Sequence, residues 1–292
     1  MNPTGNPQAS RALAWWQAAP FTLVFVLFLV PPLVFVAAVS FWKATDYELI
    51  PAFSAQNYID VFTGCSNTDE LCVTLKTYLS TFKFCFLVWP ITLLIGFAVA
   101  YFLAFHVRSV GAQTLLFILC TVPFWTSKVI RMISWVPLLG RNGVINQGLQ
   151  GIGLIDSPIE WLLFGNFSVV LAFVHLHTMF MIVPIFNSMM RIDRALIEAA
   201  RDSGASGWRT VWNVVVPLSR TGIIIGSIFV ITIVMGDFVT IGVMGGQQIA
   251  SVGKIVQVQT SYLQFPMAAA NAVILLMMIW GLTRLVDIRK EL

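Results

Sequence analysis

Six apolar runs, each about as long as a bilayer core is thick, are strung along this 292-residue chain. A helix needs about 20 mainly apolar residues to cross hydrocarbon. Residues 21–41, 84–105, 112–135, 168–190, 222–243 and 267–286 all meet that length. A backbone in lipid must satisfy its polar groups internally, so such runs become helices. The expected fold is therefore an all-α integral membrane protein with six transmembrane helices. Composition agrees, since 10% of the residues are charged against about 25% in a soluble domain. One membrane domain is expected over 20–286, after an N-terminal segment (1–19) and before a short tail (287–292). The first run carries Pro31 and Pro32 and is expected to kink. It is too long for the apolar part of a cleaved leader and reads as a retained span. An amphipathic stretch, 73–83, leads into the second run, and the far half of the third contains Lys128 and Arg131.

An even number of spans puts both termini on one side. With that side cytoplasmic, ten of the 17 basic residues lie inside, including Arg108, Arg191, Arg194, Arg201 and Arg209. The short loops decide the orientation. The segment 106–111 and the two ends hold no acidic residue except Asp287 and Glu291. The opposite loops hold Asp46, Glu48, Asp60, Asp69, Glu70, Asp156 and Glu160. Both ends are expected in the cytoplasm. The same bias accounts for the net charge of +4, so nucleic acid is not an expected partner. Membrane lipid is.

Other chemistries are poorly supplied. His175 and His177 stand two apart, about 200° around a helix, and cannot share a metal. No phosphate-binding G-x-x-x-x-G-K-[ST] run occurs, so any ATP hydrolysis needs a separate chain. No internal repeat of the kind found in ion-coupled carriers joins the two halves. Cys85 and Cys120 lie in apolar runs, while Cys65 and Cys72 share a polar loop. If that loop faces an oxidising compartment, they are candidates for a disulfide.

The most polar long stretch of the second half reads EAARDSGASGWRTVWNVVVP, residues 198–217. Upstream, Leu196, Ala199, Ala200 and Ser203 share one helical face. Asp193 can cap that helix at its start and Gly204 can end it. Trp208, Val211, Trp212 and Val215 repeat the pattern after Ser206, and Pro217 is expected to stop the second helix before the fifth span. A short helix with a small-residue face suits docking into another protein's groove. The rival reading, an interfacial helix lying on the membrane, does not require this Gly and Pro spacing.

Glu198-Ala199-Ala200, then Gly204, then Val214, Val216 and Pro217 resemble the cytoplasmic-loop motif of binding-protein-dependent ABC importer permeases. Valines stand where Ile and Leu are usual. The resemblance implies the MetI-like permease fold, with 193–217 as the coupling loop. Glu198, Ala199, Ala200 and Gly204 would sit in an ATPase groove, with Arg201, Asp202 and Arg209 at its rim. It also implies a dimer of ATPase subunits holding ATP and Mg, a second permease subunit, an extracytoplasmic solute-binding protein and a bacterial inner-membrane location. This chain would bind no cofactor or metal and catalyse no reaction.

Two further segments resemble the spermidine/putrescine branch. They are KVIRMISWVPLLGRNGVINQGL, 128–149, and GDFVTIGVMGGQQIASVGKIVQVQ, 236–259. Members of that branch also import other small solutes, such as amino-acid derivatives, opine-like compounds or organic anions. One residue bears on the choice. Asp237 is an ionisable group inside an apolar run, where such groups usually face an interior path. With Phe238 beside it and Gly236 permitting close approach, it suits an amine cation. Equally, it can pair with Lys128 or Arg131 to fix packing. Phe124, Trp125 and Trp135 are candidates to line the same path, and as membrane aromatics they are equally interface anchors.

Overall fold

The computed structural model describes residues 7–45, 48–63 and 73–288, and the Cys65–Cys72 pair lies outside them. In chain order the helices are α1 (Pro7–Val39), α2 (Gln56–Val61), α3 (Val73–Tyr101), α4 (Val110–Thr121), α5 (Lys128–Ile133), α6 (Val136–Leu139) and α7 (Val144–Gly151). Then come α8 (Asn166–Met189), α9 (Arg194–Asp202), α10 (Gly207–Thr210), α11 (Val216–Leu218), α12 (Arg220–Gly236), α13 (Val239–Met244), α14 (Val252–Ser261) and α15 (Phe265–Ile288). A two-residue antiparallel pair, β1 (Lys43–Ala44) with β2 (Leu49–Ile50), is the sheet among the described residues.

Among the described residues, four helical segments are long and apolar enough to cross a membrane singly: Gln17–Val39, Val73–His106, Glu160–Met189 and Phe265–Arg284. Two bent pairs qualify jointly, which raises the number to as many as six. The amphipathic 73–83 stretch is not a separate entry helix. It is the first three turns of α3, which then winds through a π turn at Phe102–His106.

The expected rods over 112–135 and 222–243 are broken. The first leaves α4 through a 3-10 turn (Val122–Trp125) and restarts at Lys128 with a 92° bend. The second stops at Gly236 and restarts as α13. Pro217 does not stop its helix either. The chain passes through a π turn (Val211–Val215) and α11, then bends by 71° at Ser219. Proline has no N–H to give the carbonyl four residues back, and a π turn absorbs that missing bond. Ser219 is fully buried, and its hydroxyl donates to Val215 O at 2.7 Å, which holds the joint.

The core forms where α8 packs between α3 and α12. Small residues set the spacing. A Cβ at Gly96 on α3 would come within 2.7 Å of Met181 Cγ, and one at Gly226 on α12 within 2.8 Å of Met181 Sδ. Met181 is thus gripped from both sides, with no room for a methyl group. Polar stitches fix the rotation of these apolar helices. Trp89 Nε1 donates to Ser227 Oγ at 2.8 Å, and Tyr78 OH to Asn271 Oδ1 at 3.1 Å. The side chains of α1 from Phe21 to Val34 are largely exposed.

Beyond the bend in the third span, α5 to α7 form a short flap. Its LLGRNGVIN segment has a physical rationale. A Cβ at Gly143 would sit 2.7 Å from Leu138 O, so the turn closes only around glycine. Fully buried Asn146 donates to Gly140 O and Ile159 O and accepts from Ile159 N–H, stitching the flap to the chain that returns to α8.

Candidate functional site

The two broken spans meet at their breaks. Ser127 starts α5, so Lys128 occupies its first turn, and Asp237 follows the last residue of α12. The two side chains form an ion pair. The Asp237 carboxylate also accepts from Thr240 N–H at 3.0 Å and Thr240 O–H at 2.7 Å, which caps α13. Asp237 therefore lies past a helix end, not within a helix as the periodicity predicts. The close approach expected at Gly236 is real but is made possible by Gly253. A Cβ there would fall 2.6 Å from Gly236 O, whereas one on Gly236 meets nothing.

Just before the break in the third span lies a hollow of about 400 Å³, lined almost wholly by apolar groups. Its walls are Thr121, Phe124 and Trp125 from the broken span, Met179, Phe180, Val183 and Pro184 from α8, and Phe229 from α12. Phe124 meets Phe180 edge-on at 5.6 Å between centroids, and Phe180 lies 6.4 Å from Phe229. The series continues inward through His177 and Phe173 to Phe84. Ring faces with few polar atoms attract an ammonium group and accept an aliphatic chain equally well.

The structure thus brings Phe124 and Trp125 together and pairs Asp237 with Lys128. Phe238 is not part of the hollow. Nor is Trp135, carried away by the bend, whose indole N–H donates to His175 Nδ1 at 3.0 Å. Phe180, Val183 and Pro184 were legible as an i, i+3, i+4 face, but α8 is apolar all round and nothing marked that face from the others. His175 and His177 occupy different surroundings, the second buried and the first exposed.

The second candidate element is α9 with its following turn. Asp193 Oδ1 accepts from Ala195 N–H at 3.0 Å at the start. At the end Gly204 N–H donates to Arg201 O and Ala205 N–H to Ala200 O, a Schellman close with Gly204 at φ +82°. Ser206 Oγ then caps α10, and Trp208 and Trp212 stack edge-on at 5.6 Å. Two faces of α9 differ sharply. Arg194, Ile197, Glu198 and Arg201 turn toward the chain and, with Tyr101, Phe105, His106 and Arg108, line a hollow of about 320 Å³. Leu196, Ala199 and Ser203 are exposed on the opposite side. The motif is therefore split, with Glu198 and Arg201 on the inner face and Ala199, Asp202 and Gly204 outward.

Comparison with known proteins decides what carries these elements. The chain is 30% identical over 276 residues to the spermidine/putrescine transport system permease protein PotB of Escherichia coli (strain K12), covering 91% of this chain and 96% of PotB. The chain belongs to the ABC importer permease family. The PotB of Salmonella typhimurium (strain SL1344) matches this permease at 32% over 203 residues, 67% of this chain and 70% of that one. Among solved structures, a bacterial alginate ABC transporter in complex with an alginate pentasaccharide-bound periplasmic protein superposes with a TM-score of 0.70 at 15% identity, covering 95% of this chain and 93% of that one. No family model matches. The permease is an all-α, multi-pass membrane protein of the MetI-like fold, a transport subunit and not an enzyme.

Proposed function

We propose that this permease forms half of the membrane path of an ATP-driven polyamine importer. The observation that carries the cargo assignment is the buried Asp237 carboxylate at the end of α12, the helix whose Phe229 lines an aromatic hollow, on a chain whose relatives are named for spermidine and putrescine. A polyamine alternates ammonium groups with short aliphatic stems. The carboxylate suits the first, and the ring faces of Phe124, Trp125, Phe180 and Phe229 suit both.

In this reading a solute-binding protein delivers the cation on the outer side, and a second permease subunit supplies the other wall. An ATPase dimer, holding ATP and Mg, grips α9 through its exposed face of Leu196, Ala199, Ser203 and Gly204. Both termini lie in the cytoplasm of a bacterial inner membrane. ATP-driven closure moves α9, and the bend at Ser219 hands that motion to α12, whose far end is Asp237. The lever and the cargo site are then two ends of one helix.

The test is a solute screen on the assembled importer with its binding protein. Spermidine and putrescine are expected to stimulate its ATPase, whereas neutral sugars and carboxylates at equal concentration leave it at baseline. Stimulation by a carboxylate or an opine-like solute, with amines inert, would replace the cargo assignment.

A further inference from the structure

The Lys128–Asp237 pair is unlike an ordinary packing ion pair in three respects. First, it is lopsided. The carboxyl side chain is 2% exposed while the lysine side chain is 36% exposed, so the pair is approachable from the lysine end. Second, its donors differ in how they can leave. Thr240 gives two of them from three residues away and caps α13 in doing so. The third, the lysine ammonium, arrives from 109 residues away at the start of another short helix. It alone can withdraw without unwinding a turn. Third, the pair ties together the two segments that follow the breaks, α5 and α13, which pack on each other.

We propose that the Lys128 ammonium is a tethered stand-in for the cargo. It fills the Asp237 site while the path is empty and yields it to an ammonium of the solute in transit. The inference rests on the polyamine reading and deepens it. Lysine ends in a primary ammonium on a four-carbon stem, the same chemistry as the end of a polyamine. A site that already holds this group needs no rebuilding to accept the solute's. A buried carboxylate deprived of the cation it pairs with is strongly unfavourable, so Lys128 leaves only as another cation arrives. Neutral and anionic solutes cannot make that exchange. The swap also unties α5 from α13, which couples occupancy of the site to parting of the two segments. The freed lysine is already 36% exposed, and its long stem can reach toward water.

Lys128→Gln, Asp237→Asn and the double variant, each purified as the assembled importer, distinguish this from packing. The probes are spermidine and butylammonium, with sodium chloride matched for ionic strength. The Lys128→Gln complex is expected to melt below wild type and to regain roughly 5 °C when a probe is present near 100 times its Kd. Wild type should gain less, because the probe must first displace the tethered lysine, and the double variant should stay unmoved by butylammonium. The double variant should assemble, since no charge is left unpaired, yet import spermidine at about a tenth of the wild-type rate or less. Wild-type import by the double variant would reduce the pair to packing, as would a Lys128→Gln complex indifferent to both amines. The cargo reading fails separately. If amines restore Lys128→Gln while the importer proves to carry a non-amine solute, the exchange site survives and the polyamine assignment does not. If Lys128→Gln does not assemble, the import rate of the double variant decides alone.

Discussion

An Asp237→Asn importer should reach the membrane at near-normal levels and import a cationic solute at least about tenfold more slowly, a loss of 1.4 kcal/mol or more. The asymmetry follows from what the substitution keeps. An amide oxygen still accepts from the Thr240 N–H, so the start of α13 stays capped. What disappears is the charge. The Lys128 side chain, already 36% exposed, turns to water at modest cost. A cation in the path has no such escape, and a buried charge pair truncated on one side typically loses about 2–5 kcal/mol. Uptake and surface abundance, measured on the same cells, separate the two effects. Normal uptake would return Asp237 to a packing role.

Gly204→Trp should bring solute-stimulated ATPase activity close to its basal level while the permease still inserts. Two costs combine. Gly204 adopts φ +82° to close α9, and an L-residue in that region is disfavoured by about 1–2 kcal/mol. Nothing within 4 Å would meet an added Cβ, so the chain's own packing is not the obstacle. The indole instead stands on the small-residue side that a partner must approach closely. Gly204→Asn is the control, because asparagine visits the left-handed region more readily and is compact. It is expected to retain much of the stimulation. Full stimulation by the tryptophan variant would remove α9 from the coupling path.

The caps of this structure were legible because they are local. Asp193, Gly204 and Ser206 act within two or three residues of their own positions, and the sequence spacing carries the inference. The breaks were less legible. Hydropathy runs smoothly through 112–135 and 222–243, so an apolar count returns two rods where the chain turns at 126–127 and at 237–238. Gly236 stands before an acid in the sequence, yet the partner that makes the contact possible is Gly253, which only tertiary packing brings there. Pro217 marked the right neighbourhood, but the π turn before it moved the bend to Ser219. The aromatic hollow was half visible. Phe124 and Trp125 are candidates as aromatics on the third span, whereas Phe180 and Phe229 sit on helices that are apolar all round. Which face of such a helix turns inward is set by glycine contacts such as those at Met181.

The proposed coupling carries ATP energy from α9 to a cation passing Asp237. It is tested most directly by accumulation of radiolabelled spermidine in proteoliposomes that hold this permease with its partner permease and ATPase, supplied with the binding protein. The account predicts accumulation against a gradient that requires both ATP and the binding protein and is lost in Gly204→Trp. Spermidine that merely equilibrates, at a rate indifferent to ATP, would contradict it.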